Sequence, residues 1–298
     1  MEISEYIGPR RAIKIRNSAA WLINGNKLTI RSPELTLNKT ENLRQNAMND
    51  LVNKITTQKI PCFFISPHLD DAVLSAGALI NYLATRTDTT VITIFTQGSS
   101  NIPQPSWLKK CGYEDASLLF SDRQREDQEA LNKLGINRVV HLGFVDAAWR
   151  TGNKHNLGTS LSEHEELLDL INTSLSKFID TSSPYLTFFP IANGRKHLDH
   201  RLTNHLSNFF PESSVFWKEF SLKKDSNGKP AEMSEGDNMI SGQWLGNYNE
   251  KANAILAYKS QLHALFPLPH LQLPTEEYYF PKRILNNEFI DNFQTRSK

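Results

Sequence analysis

The strongest constraint on this chain is a repeated exchange of two hydrophobic periods from Pro61 onward. Cys62-Phe63-Phe64-Ile65-Ser66 is a near-continuous apolar run of strand length, and Ala72 to Thr85 then follows a helical period. Thr90 to Thr96 reads as the next buried strand. A loop with Pro103 and Pro105, a helix from Ser121 to Leu134 and a third strand at Arg138 to Leu142 come after it. Leu161 to Ile179 is helical in period, and Tyr185 to Phe189 is a fourth strand. Strands that are apolar along their whole length must be covered on both faces. The prediction is therefore an α/β fold, a doubly wound and mainly parallel sheet with helices on both faces. In such sheets ligands bind beyond the carboxyl ends of the strands, which says where to look for chemistry.

Upstream, Ala12-Ile13-Lys14-Ile15 alternates, and Trp21-Leu22-Ile23 and Leu28-Thr29-Ile30 flank the turn-forming Asn24-Gly25-Asn26, so residues 12–37 read as a small N-terminal β arm. Leu43, Ala47, Leu51 and Ile55 recur every four residues and mark one face of a helix. The expected division is an arm and helix over residues 1–58 and a main domain over 59–298. The arm and helix can pack on the core, form a dimer contact or shape the pocket, and their pattern does not choose among these.

Directly after the first buried strand come Ser66-Pro67-His68-Leu69-Asp70-Asp71, and after the fourth come His197-Leu198-Asp199-His200. Imidazole and carboxylate together suit Zn²⁺ or Fe²⁺, and two histidines with one carboxylate leave a position open for water, as a catalytic site requires. His68 and Asp71 are three apart, as are His197 and His200, so each pair converges if its segment turns helical. Asp70 is then left over beside a ligand, where it could take a proton from an activated water. Either segment alone has an ordinary explanation, as a helix N-cap with favourably placed acids or as a polar loop. Their occurrence at equivalent strand ends is what favours a metal.

These residues resemble the paired motifs of the PIG-L/LmbE-like N-acetylglucosamine deacetylases. Arg123 and Glu126 with Ala130 and Leu134-Gly135 resemble that family's Arg-X-X-Glu helix, and Lys251 through Tyr258-Lys259-Ser260-Gln261 resembles its late Ser-Gln helix. The likeness runs in motif order over residues 60–280. Asp146-Ala147-Ala148-Trp149-Arg150 and the segment from Gly194 to His200 resemble a bacterial branch acting on sugars.

The resemblance implies a Rossmann-like fold and an enzyme that uses one divalent metal ion, zinc in the first instance with ferrous iron possible, to hydrolyse an N-acetyl group from an amino sugar or its glycoside. It implies that His68, Asp71 and His200 bind the metal and that Asp70 is the general base. His197 would stabilise the oxyanion, with Asp199 orienting that imidazole and favouring its charged form. Arg123 would reach sugar hydroxyls, with Glu126 holding it by an ion pair, although Arg123-Gln124-Arg125-Glu126 also reads as a solvated helix start. Trp149 and Arg150, in a loop with Lys154 and His155, offer an aromatic face and cations to a sugar or its phosphate.

Departures from the family pattern are Leu69 and Leu198 where proline is common and Ala72 where a glutamate follows the second Asp, which puts loop rigidity and the support of the ligands in question. Lys223 to Gly242 has few apolar residues and reads as a loop that covers the substrate or as an insertion without a role.

Two other function classes fit parts of the pattern. A non-haem Fe(II) oxygenase uses the same two-histidine, one-carboxylate triad, but usually on a β-barrel, and gives Asp70 no purpose. A non-catalytic sugar-binding module would not need the complete set of ligands and base. With 33 basic and 32 acidic side chains, a net charge of +1 and no basic run, a nucleic-acid partner is not expected. The acidic N-terminus does not read as an export signal, no apolar stretch reaches the ~20 residues of a membrane span, and Cys62 and Cys111 cannot form a disulfide framework. The expected location is the cytoplasm.

Overall fold

The structure, a computed structural model, describes residues 18–23, 26–33, 38–100, 104–150, 160–192, 197–220, 239–266, 270–286 and 289. Its strands are β1 (Ser18–Ile23), β2 (Asn26–Arg31), β3 (Cys62–Ser66), β4 (Thr89–Gln97), β5 (Arg138–Val145), β6 (Leu186–Pro190), β7 (Ser214–Trp217), β8 (Met239–Trp244), β9 (His270–Gln272) and β10 (Glu276–Pro281). Seven of them form one sheet in the order β5-β4-β3-β6-β7-β10-β8. The five from β3 to β7 are parallel, and β10 runs antiparallel to both β7 and β8. The fold is Rossmann-like, a mostly parallel central sheet surrounded by helices, as the two alternating periods required.

The helices are α1 (Lys39–Gln58), α2 (Asp71–Ala84), α3 (Ser106–Lys110), α4 (Ala116–Lys133), α5 (Ala147–Arg150), α6 (Glu165–Leu175), α7 (Leu198–His205), α8 (Tyr248–Ile255) and α9 (Leu262–Leu265). The continuous apolar strands are buried along their length: every residue of β3 and β6 is buried, and Phe64 stacks on Phe188 at 4.3 Å between ring centroids.

The strand order places the site. From β3 the chain proceeds outward through β4 to β5, then returns to the other side of β3 to lay down β6 and β7. The connections after β3 and β6 therefore leave the sheet in opposite directions, which opens a crevice at their carboxyl ends. Both histidine motifs start there.

Of the roles open to the N-terminal helix, packing on the core is the one seen. Met48, Leu51, Val52 and Ile55 of α1 are buried in the same apolar cluster as β3 and β6. Each such side chain contributes about 1.5–3 kcal/mol. Leu43, expected on the same face, is 61% exposed, because α1 buries its second half rather than its first turn. The helix packs on β8, where a Cβ at Gly242 would lie 3.1 Å from the Met48 Cβ, so a larger residue there would push the two apart. Residues 12–17, 24, 25 and 34–37 of the expected arm lie outside the described residues. β1 and β2 pair antiparallel, and β2 pairs in parallel with β9 from the far end of the chain. Of the expected covering loop over 223–242, residues up to 238 lie outside the described residues, and the remainder begins β8.

Candidate functional site

His68, Asp70 and Asp71 occupy the turn from β3 into α2. Ser66 Oγ donates to the His68 carbonyl at 2.8 Å and accepts from Ala72 N at 3.1 Å. Asp70 stands at the N-cap position but makes no capping bond with its side chain. Ser66 rather than Asp70 thus caps the helix, while Asp71 Oδ2 accepts from His68 N at 3.1 Å. His197 to His200 enter α7 in the same way. Leu198, Leu202 and Leu206 face the core at four-residue spacing, and this turns Asp199 and His200 toward the crevice.

The two turns converge. Asp71 Oδ2 lies 3.2 Å from His68 Nδ1 and 3.4 Å from His200 Nε2. The rings of His68, His197 and His200 form a triangle with centroid separations of 4.9, 5.1 and 5.2 Å. Their ring nitrogens fall within 4.8 Å of one another. Ligand bonds of about 2.0–2.2 Å at tetrahedral angles separate donor atoms by about 3.3 Å. That is the spacing from Asp71 to each of the two imidazoles, while the groups whose donor atoms all lie within 4.8 Å of one another among the described residues are His68, His197 and His200, and His68, Asp146, His197 and Asp199.

Carboxylates behind the imidazoles fix their orientation. His68 Nε2 lies 3.0 Å from Asp199 Oδ2, which also accepts from Ala147 N at 2.8 Å, while Asp199 Oδ1 accepts from Arg150 Nη2 at 2.5 Å. His200 Nδ1 is bonded to Glu219. Asp146 Oδ2 lies 3.5 Å from His68 Nε2, and its other oxygen accepts from Ala148 N.

Electrostatics divide the two adjacent carboxyls' neighbours into distinct roles. Burial, and then the charge of Asp71, push Asp70 up to about 6 against the pull of Arg123 and His68. Burial alone would lower His68, but Asp146, Asp199 and Asp71 outweigh it and hold the imidazole well above its ordinary value. Burial would raise Asp199, but the His68 bond and the Arg150 charge keep it well below the usual carboxylate range. His197 falls to about 3, because burial and the His68 and His200 rings prevail over Asp199 and Asp71. Asp199 thus pulls His197 toward its charged form, as expected, yet does not win, and its hydrogen bond goes to His68.

The remaining expected contacts sort by burial. Arg123 is buried with its Cζ 5.1 Å from the Phe120 ring centroid, and its Nε has no hydrogen-bond partner. Glu126 does not hold it: its two oxygens accept from the backbone and hydroxyl of Ser260, at 2.8 and 2.6 Å. The solvated-helix alternative fails as well, since Arg123 and Glu126 are both buried. Trp149 packs edge-on against Phe120 and donates to Gln104 Oε1 at 2.9 Å, which makes its indole part of a second apolar cluster with Leu69 rather than an open face. Arg150 is committed to Asp199 and the Val145 carbonyl. Lys154 and His155 lie outside the described residues. Asp146 and Glu219 were assigned no part by sequence reasoning, although both stand just past a strand's carboxyl end. Searching every strand end for lone acids would have found Asp146; Glu219 required recognising the four-residue β7.

Residues 63–208 match the PIG-L family, described as GlcNAc-PI de-N-acetylase. The matched segment is just under half of the chain. Among curated relatives, 2'-N-acetylparomamine deacetylase of Niallia circulans is 28% identical over 231 residues, covering 68% of this chain and 81% of the relative. The protein of the same name from Streptomyces fradiae is 26% identical over 141 residues, 47% of this chain and about half (48%) of the relative. Among solved structures, the zinc-inhibited form of teicoplanin deacetylase Orf2 superposes with a TM-score of 0.59 at 22% identity, covering 74% of this chain and 98% of that one. The A40926 pseudoaglycone deacetylase Dbv21 gives 0.58 at 24%, covering 75% and 97%. These structures share the fold described above. Among the described residues, no helix is long and apolar enough to cross a membrane.

Proposed function

We propose that the chain is a metal-dependent hydrolytic deacetylase that removes the N-acetyl group from an amino sugar or its glycoside, with N-acetylated aminoglycosides such as 2'-N-acetylparomamine as the first substrates to try. The observation that carries this reading is the convergence of His68, Asp71 and His200 at metal-ligand spacing beside a buried carboxyl, Asp70, poised near neutrality. The curated relatives' names point to the same chemistry.

His68 through Nδ1, His200 through Nε2 and Asp71 would hold the ion. A divalent cation bound there supplies Lewis acidity, lowering the pKa of water and polarising an amide carbonyl. Asp70, ionised above about 6, accepts the proton of the attacking water and later delivers it to the departing amine. His197, whose ring closes the triangle with His68 and His200, would donate to the oxyanion, and a preorganised donor of that kind is worth about 3 kcal/mol. Arg123, buried and with Nε unpartnered, supplies charge-assisted donors for sugar hydroxyls. Arg150 acts through Asp199, and Trp149 shapes the wall behind Leu69.

Acetate release from a panel of N-acetylated sugars, run with and without chelator while dissolved oxygen is recorded, tests the reading. Chelator-sensitive acetate without oxygen uptake is the expected result. Oxygen uptake without acetate would turn the same ligand set into an Fe(II) oxygenase. Sugar binding with no turnover under any metal would leave a binding module.

A further inference from the structure

We infer that Glu219 is a positioning residue that holds His200 in its Nδ1–H tautomer, so that His200 aims the Nε2 lone pair at the position beside Asp71 that His68 faces through Nδ1. The inference rests on the metal-site reading and adds to it a residue outside both histidine motifs.

A carboxylate only accepts hydrogen bonds, so the ring nitrogen bonded to it carries the hydrogen. His200 is bonded to Glu219 through Nδ1, which leaves Nε2 unprotonated and facing Asp71 Oδ2 at 3.4 Å. His68 is bonded to a carboxylate through each nitrogen, Nε2 to Asp199 and Nδ1 to the same Asp71 oxygen at 3.2 Å, so Nδ1 is the nitrogen that would give up its hydrogen to an ion beside Asp71. Two rings entering from different strands thus present different nitrogens to one point. A carboxylate behind each decides which nitrogen that is.

Glu219 is held for this task from both sides. Lys218 N donates to the Glu277 carbonyl of β10 at 2.8 Å. Phe220 N donates to Ser75 Oγ at 3.0 Å, and Ser75 belongs to α2, the helix that begins at Asp71. The Glu219 side chain is 5% exposed and that of His200 4%. A buried carboxylate is costly unless it is hydrogen-bonded, and the imidazole meets that need. The same contact ties the end of β7 to the ligand set, so Glu219 supports a ligand from a strand that neither motif touches.

The test uses the full chain as wild type, Glu219→Gln and Glu219→Leu, with unfolding midpoints recorded to establish that each is folded. Histidine ¹⁵N shifts of the metal-free proteins at about pH 8.5, above the ordinary histidine range, report the tautomers directly. Wild-type His200 should carry its hydrogen on Nδ1, Glu219→Gln should keep it there because the amide oxygen still accepts, and Glu219→Leu should shift it toward Nε2. Zinc affinity, measured by competition with a chromophoric chelator, should fall about 10-fold in Glu219→Gln and about 100-fold in Glu219→Leu. A wild-type tautomer in Glu219→Leu, or unchanged zinc affinity in Glu219→Gln, overturns the inference. A wild type that binds no zinc contradicts the metal-site reading instead, and the tautomers still decide whether Glu219 sets His200.

Discussion

Asp199 Oδ2 lies 3.0 Å from His68 Nε2 although 131 residues separate them in sequence. The contact joins the two motifs before any ion is considered, and Arg150 secures it from behind at 2.5 Å. Asp199→Asn keeps the shape but removes the charge that fixes His68. Its metal affinity should fall about 10–100-fold, with Arg150→Met causing a smaller loss in the same direction. Competition titration with a chelator measures both, and wild-type affinity in Asp199→Asn would remove Asp199 from the support of the ligands.

Metal binding should release protons at neutral pH. His68 sits well above its ordinary value of 6.5, so an ion entering at Nδ1 must displace a proton, and affinity should rise with pH. The signs for folding agree. Asp70 and His68 are both raised in the folded chain, so the stability they contribute is complete below their unfolded values and is lost as pH rises through about 6 for Asp70 and through the higher value for His68. Calorimetric titrations in two buffers of different ionisation enthalpy count the protons released at pH ~7. Heats independent of the buffer would contradict this account.

Removing Arg123 should weaken catalysis without emptying the site. A charge-assisted hydrogen bond is worth about 1.5–3 kcal/mol, so kcat/KM of Arg123→Met should drop about 10- to 100-fold. Metal content should stay at the wild-type level. Loss of metal together with activity would place Arg123 in the support of the ion's ligands rather than on the substrate.

Stability should depend on an ion pair outside the proposed ligand set. Lys251 Nζ donates to Glu276 Oε1 at 2.7 Å, and the same carboxylate accepts from Ala78 N and Leu79 N of α2 and from Tyr278 OH. Both side chains are 1% exposed. Breaking such a pair costs about 3–5 kcal/mol, and Lys251→Met should fall near the lower end because Glu276 keeps three other donors. Denaturant unfolding of Lys251→Met, Glu276→Gln and the double variant measures the loss. Near-additive effects of the two substitutions would show that the pair is not coupled.

The parallel half of the sheet was legible because β3, β4 and β6 are rich in apolar residues along nearly their whole length, as strands covered on both faces are. The antiparallel edge was not. β7 has four residues, and β10 opens with Glu276, a charge that is buried only because Lys251 and α2 meet it. The site divided along the same line. His68, Asp70, Asp71 and His197 to His200 lie in two short segments whose spacing can be read directly. Glu126 could not be paired correctly from its own helix, because its partner Ser260 is 134 residues away. Periodicity reports which face of an element is buried, but not which distant side chain will be waiting there.

The central claim is that Asp70 acts as the base beside an ion held by His68, Asp71 and His200. Metal per chain and acetate release from N-acetylated sugars, measured on wild type and Asp70→Asn together, test it most directly. The account predicts one equivalent of divalent metal in both proteins, with acetate released only by the wild type. Wild type without metal and without chelator sensitivity, or Asp70→Asn releasing acetate at the wild-type rate, would contradict it.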